Sequence, residues 1–328
     1  MKHLTREQRY TIFVMLEQGF SQKSIALAIG KNKSTISREL KRNSDRRSGQ
    51  YKAKLAQKKY EYRQKTKPKK KRFTEQVRKY VDKKLKDDFS PEQIVGRAKL
   101  EGKQCVSHER IYQYIWEDKR KGGDLFKHLR RQGKRYRKRG NLKDTRGIIK
   151  DRISIDERPE IVDKKERFGD LEIDTIIGKN RKGAILTIND RQSGKVWIRK
   201  LSGKHATQLA EITVQTLMPI KHLLHTITGD NGKEFAKHKT IAERLGIKFY
   251  FAHPYHSWER GANENTNGLI RQYIPKKADF NSITEDFIQY VEDKLNNRPR
   301  KKLNFLTPNE FYRKFVKQNI NQKVAFVT

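Results

Sequence analysis

The sequence predicts a multidomain chain: two all-α helical regions followed by a larger α/β domain. Three observations predict it. Residues 1–118 carry apolar residues at helical spacing, with Ser-capped starts and Gly stops. From about residue 160 the pattern changes to strand-like alternation interleaved with helical stretches. Two basic runs separate these regions and read as linkers. The boundaries follow: a helical domain over 1–62, a linker over 63–72, a second helical domain over 73–118, a basic linker over 119–159, the α/β domain over 160–315, and a tail over 316–328.

Charge narrows the partners. Lys and Arg number 77 against 38 Asp and Glu, a net charge of +39. Such an excess points to a polyanion, because cationic side chains release counterions from phosphates and bind nucleic acid without regard to sequence. A membrane is the less favoured partner, since no apolar run approaches the roughly 18 residues a spanning helix needs. The opening Met1-Lys2-His3-Leu4-Thr5 has no apolar leader. The single cysteine, Cys105, excludes an internal disulfide framework and points to a reducing cytoplasm.

The first region reads as a helix-turn-helix. Ser21 caps a helix with Ile25, Ala28 and Ile29 on its apolar face, and Gly30 supplies the left-handed stop. In the next helix Ile36 and Leu40 face inward. That leaves Lys33, Ser34, Thr35, Ser37, Arg38 and Lys41 outward, the donors a DNA-reading helix needs. The other reading is an ordinary helical hairpin. The second region repeats the plan: Ser90-Pro91 starts one helix, Glu101-Gly102 turns, and Ser107 caps a helix with Ile111 and Ile115 inward. Its aromatics suit a structural or dimerising bundle as well as DNA reading.

In the third region Asp170–Ile177 alternates as a strand, with Glu172, Asp174 and Ile176 on one face. Turns at 179–183 and 190–194 make an antiparallel meander with strands over 184–189 and 195–201. A helix over 204–218, a strand over 225–228, a helix over 234–245, a strand over 247–251 and a helix carrying Glu264 to Tyr273 complete the order. That order is the layout of a ribonuclease H-like domain. In it the first and fourth strands lie side by side, so Asp174 and Asp230 converge and Glu264 approaches from the adjacent helix.

Three carboxylates meeting on a basic protein have a chemical use. Two hard divalent ions about 3.5–4 Å apart stabilise the attacking and leaving oxygens of phosphodiester displacement, and such ions take oxygen ligands. Read singly, Asp174 is an ion-pair partner, Asp230 a turn residue before Asn231-Gly232, and Glu264 a solvated helix charge. All three in this order on these elements favour catalysis.

The motifs resemble the DDE transposases of bacterial insertion sequences, most closely the insertion-sequence-thirty family. The resemblance rests on Gly-Asp-Leu-Glu-Ile-Asp-Thr-Ile at 169–176, Thr-Gly-Asp-Asn-Gly-Lys-Glu-Phe at 228–235, and the long stretch from Pro254 to Lys276. Between Asp230 and Glu264 lie 33 residues, the spacing of that family. Leu4–Asn43 and Ser90–Trp116 resemble the family's two helix-turn-helix regions. Leu171 departs from an expected Trp, and His256 stands where a non-histidine is usual.

The resemblance implies a retroviral integrase-type catalytic domain with Asp174, Asp230 and Glu264 as catalytic and metal-binding triad. It implies two Mg²⁺ ions, with Mn²⁺ able to substitute. Arg271, seven residues after Glu264 on the same helix face, would contact the transposon end. Glu172 is the reserve candidate for first ligand, and Asn231, Asn263 and Asn267 are candidates for positioning water or phosphate. His253 and His256 flank Pro254 in a loop, are candidates for contacting DNA and, lacking Cys partners, are not read as zinc ligands. The implied partners are the terminal inverted repeats and the target DNA, bound by a homodimer or larger synaptic complex in the bacterial cytoplasm. The rival readings are a helix-turn-helix regulator without catalysis and a nuclease without strand transfer.

Overall fold

In the computed structural model the described residues are 3–67, 72–130, 149, 151–181, 183–254, 256–276 and 278–325. The basic run Lys134–Arg139 and Pro68 lie outside them. The chain divides into two compact units, residues 1–71 and 72–328.

The first unit is four helices: α1 (Arg6–Glu17), α2 (Gln22–Ala28), α3 (Lys33–Asn43) and α4 (Ala53–Thr66). Side chains cap three of the starts. Thr5 and Gln8 exchange reciprocal bonds at α1, Ser21 accepts from the Ser24 N–H, and Asn32 accepts from the Ser34 N–H. Gly30, at φ +62°, makes the turn between α2 and α3. Ile12, Ile25, Ile36 and Ala56 form the core, and Leu40 packs half-buried against it. Helix α4 runs to Thr66, into the stretch read as linker from residue 63. Nothing before Pro68 interrupts helical hydrogen bonding, and the chain leaves the helix at Lys67, the residue that a following proline disfavours in helical conformation.

In the second unit, α5 (Glu75–Lys86), α6 (Pro91–Leu100) and α7 (His108–Arg120) close around Val81, Leu85, Ile94, Ile111 and Ile115. Ser90 and Gln93 form a capping box with Pro91 at the first helical position, and Ser107 caps α7. The sheet then begins with β1 (Ile153–Ser154), followed by α8 (Glu160–Lys164), β2 (Asp170–Ile177), β3 (Ala184–Asp190), β4 (Val196–Leu201), α9 (Ala206–Leu217), β5 (Thr226–Gly229), α10 (His238–Leu245), β6 (Lys248–Phe251), α11 (Gly261–Tyr273), α12 (Glu285–Asn296) and α13 (Pro308–Ala325). Strand β1 precedes the start expected at residue 160; two residues are too few to show alternation. Helix α13 likewise runs through residues read as tail.

The sheet order is β1-β6-β5-β2-β3-β4. Strands β2, β3 and β4 are the antiparallel meander, and β5 pairs parallel to both β2 and β6. A meander flanked by parallel strands, with helices on both faces, is the ribonuclease H-like layout. Period-two alternation divides the core. Leu171, Ile173, Leu186, Ile188, Ile227 and Phe249 pack on the face shared with α9 and α10. Ile176, Ile185, Val196 and Ile198 face residues of α11 and α12.

The second helical region is docked on the sheet domain through one face of α6. The Gln93 side chain donates to the Pro299 carbonyl at 2.8 Å and accepts from Arg298 Nε at 3.0 Å. Arg97 makes a two-pronged ion pair with Glu310, both bonds 2.7 Å. Between them Gly96 lies under the Phe305 ring, where a Cβ would fall 2.3 Å from ring carbons. Asn304 and Phe305 take left-handed backbone angles to place that ring. Gly96→Val should therefore expel Phe305 and lower unfolding stability by about 2 kcal/mol or more, read by urea denaturation.

Candidate active site

The register of β2 against β5 builds the site. Leu171 is opposite Ile227 and Glu172 opposite Thr228. Two residues further on, the same register brings Asp174 beside Asp230, just past the end of β5. The Asp230 carboxylate accepts the Gly232 N–H at 2.9 Å. A Cβ at residue 232 would lie 2.5 Å from Glu234 Oε2 and 2.8 Å from Asp230 Oδ1, so a larger residue there would displace both carboxylates.

Arg260, the residue before α11, spans both aspartates: its terminal nitrogens lie 3.7 Å from Asp174 Oδ2 and 3.8 Å from Asp230 Oδ2. Asn267 donates to Asp174 Oδ2 at 2.8 Å and accepts from the Thr187 hydroxyl at 3.2 Å. Glu264 lies between Arg260 and Asn267 on the same helix face, four residues after one and three before the other. It is exposed, and no hydrogen bond or ion pair engages it among the described residues. The structure thus brings Asp174 and Asp230 together and leaves Glu264 on the adjoining face, short of a closed three-carboxylate cluster.

Burial pushes the Asp174 carboxyl up to about 6; Asp230 pushes the same way and the Arg260 guanidinium opposes. Donors and polar atoms fit a divalent ion. The carboxylates are hard oxygen ligands. Around them Arg260 Nε and Nη1 and both amide atoms of Asn263 are buried without hydrogen-bond partners, as expected where ions, their water and a phosphate complete a polar site.

Both oxygens of Glu172 are engaged by protein donors. Its carboxylate is buried, accepting Arg191 Nη1 at 2.8 Å on one oxygen and the Asn263 N–H at 2.8 Å on the other. It ties the first turn of α11 to β2, so the reserve reading gives way to an anchoring one. Asn231 spans the Ala252 carbonyl and Arg152, each at 2.6 Å, and holds the β5 turn against β6. Arg271 donates to the backbone carbonyls of Ile177 and Pro275, both at 3.1 Å, and lies over Phe280. Its guanidinium is engaged by the end of β2 rather than extended from the surface. Arg260, Arg191 and Asn267 are the residues that sequence reading left without these roles. The only signal was Arg260's place one helical turn before Glu264.

In the first unit, Lys33, Ser34, Ser37, Arg38 and Lys41 are exposed along α3 and Thr35 is half-buried. The inner face of α3 holds an unanticipated charge: Glu39 is buried and accepts Arg9 Nε at 2.9 Å and the Tyr51 hydroxyl at 3.2 Å.

Residues 1–43 match a family described as a helix-turn-helix domain. Over 327 residues the chain is 62% identical to the transposase for insertion sequence element IS4351 of Bacteroides fragilis, covering 100% of this chain and 99% of that one. It is 36% identical to the transposase InsI for insertion sequence element IS30C of Escherichia coli K12, across 94% of this chain and 82% of that protein. Among solved structures, the catalytic core domain of BIV integrase aligns with 46% of this chain and 98% of its own at a TM-score of 0.37 and 20% identity.

Two outcomes test the site. Asp174 titrates near 6 when folded against an ordinary 3.8, so between those values the native state holds a proton that the unfolded chain has released, and stability is lost as pH rises through that window. Asp174→Asn should therefore stabilise the metal-free protein by about 1–3 kcal/mol at pH 7 and remove that part of the slope, in urea titrations at several pH values. Glu172→Ala should do the reverse and cost about 3–5 kcal/mol, because Arg191 is left buried without its partner.

Proposed function

The chain belongs to the IS30 family of insertion-sequence transposases, and from that premise we propose that it binds the terminal inverted repeats of its element and performs metal-dependent DNA strand cleavage and strand transfer. The observation that carries the proposal is the β2–β5 register that sets Asp174 beside Asp230. Asp174, Asp230 and Glu264 would hold the divalent ions, Mg²⁺ with Mn²⁺ able to replace it. Bound there, two ions supply charge stabilisation for the attacking and leaving oxygens of in-line displacement.

The protein's own groups do the positioning. Asn267 orients Asp174, and the Gly232 N–H orients Asp230. Glu172 and Arg191 fix the start of α11, from which Glu264 projects. Water attacks the phosphodiester at the element's end and frees a 3′-hydroxyl. That hydroxyl attacks a target phosphate at the same site and expels the target strand's 3′-oxygen as a hydroxyl, so one phosphodiester replaces another without a covalent protein–DNA intermediate. The exposed face of α3, with Lys33, Ser34, Thr35, Ser37, Arg38 and Lys41, reads the repeat. Joining two ends requires two sites, which favours a homodimer or larger assembly.

Labelled duplex carrying the element's ends, incubated with Mg²⁺, should give nicked and strand-joined products with the wild type and none with Asp230→Ala. Tight binding without products from the wild type in either Mg²⁺ or Mn²⁺ would favour a regulator instead; nicking without joining would favour a nuclease. Arg38→Ala should weaken end binding and, if Arg38 meets a phosphate, lower the salt dependence of log K by about one unit.

A further inference from the structure

Between β6 and α11 the chain turns through His253 and His256, and a short helical turn carries Glu259 back toward both. The Glu259 carboxylate gathers them: Oε1 is 2.8 Å from His253 Nδ1 and 3.1 Å from His256 Nδ1. The other oxygen accepts the His253 N–H at 2.8 Å. One ligand atom from each of the three residues lies within 4.8 Å of the other two. We propose that His253, His256 and Glu259 form a second metal site, separate from the catalytic carboxylates and suited to Zn²⁺ or a similar transition ion.

Geometry and chemistry both support it. A tetrahedral ion with bonds of about 2.0–2.1 Å to nitrogen and oxygen separates its ligands by about 3.3 Å. The two imidazole–carboxylate gaps need open by only a few tenths of an ångström, with the ion replacing shared protons. Two imidazoles and one carboxylate select Zn²⁺, Co²⁺ or Ni²⁺ over Mg²⁺, which takes oxygen ligands.

A supporting carboxylate is present too. The far nitrogen of His253, Nε2, lies 2.9 Å from Asp156 Oδ2, and Asp156 accepts the Ser154 hydroxyl at 2.7 Å. A carboxylate on the far nitrogen fixes the imidazole tautomer that leaves Nδ1 for the metal. Trp258 stacks on His256 at 4.4 Å between ring centroids and fixes that ring as well. The histidine side chains are 36% and 44% exposed, so an ion can enter and a fourth ligand can come from solvent.

The site also has a mechanical link to the catalytic one. Glu259 precedes Arg260, which spans Asp174 and Asp230, and the Glu259 carbonyl accepts Arg191 Nη1 at 3.4 Å. An ion on Glu259 would stiffen the turn that sets Arg260.

Co²⁺ titration of the intact protein, followed by visible absorption and reversed with Zn²⁺, tests this. The wild type and Asp230→Ala should each bind one Co²⁺ with the strong bands of a four-coordinate site of mixed nitrogen and oxygen ligands, and Cys105→Ser should not alter them. His256→Ala and the double variant His253→Ala/His256→Ala should lose the bands. Asp156→Asn, which leaves all three ligands in place, should weaken binding about tenfold. Bands that persist in the double variant, or a wild type that shows none, would overturn the proposal. Circular dichroism identifies any variant that has unfolded, in which case the Asp156→Asn titration decides: unchanged affinity counts against the site. Because Asp230→Ala keeps the signal, the result is independent of whether the carboxylates catalyse strand transfer.

Discussion

Everything at the candidate active site depends on two like charges being held together by a parallel strand pairing. β2 and β5 are far apart in sequence, and their register is fixed by which face each side chain must bury. Leu171, Ile173 and Ile227 go to one core, so Asp174 is sent to the opposite face, where Asp230 meets it. Two carboxylates in a partly desolvated site repel, and burial adds to the repulsion. Arg260 supplies the cation that partly offsets both effects. A site built this way is electrostatically unfavourable in the metal-free protein.

Acidic residues two apart on β2 do different work. Glu172 is fully enclosed and bonded at both oxygens, while Asp174, in mid-strand, keeps part of its carboxylate exposed. The first fixes α11 by its Asn263 N–H; the second is held by Asn267 one turn further along the same helix. Helix α11 is therefore registered against β2 at two points, which gives Glu264 its place between them. The first unit uses the same device, with buried Glu39 on Arg9 anchoring the inner face of α3 so that its outer face is presented rigidly.

The large positive charge is not all spent on DNA. Arg97 joins α6 to α13 through Glu310, and Arg298 bonds Gln93. Arg191 and Arg260 are held at the candidate active site by Glu172, Asp174 and Asp230. Counting cations in the sequence identifies a polyanionic partner but cannot separate these fixed guanidiniums from the exposed row on α3, because the separation is made by burial.

The sequence by itself determined the two helical regions, the order of the strands from Asp170 onward, the outward row of α3 and the meeting of Asp174 with Asp230. Those signals are local: caps at Ser21, Ser90 and Ser107, a period of two over 170–177, and Asp-Asn-Gly at the end of a strand. Local hydrogen bonding and hydrophobic period act over a few residues, so they can be read from a linear string. Tertiary structure alone decided the rest. It buried Glu172, turned Arg271 onto the Ile177 carbonyl, added β1, docked α6 under Phe305 and brought Asp156 to the far nitrogen of His253. Each of these depends on long-range packing that places a side chain in water or in the core, and a carboxylate or guanidinium has one role in the first and another in the second.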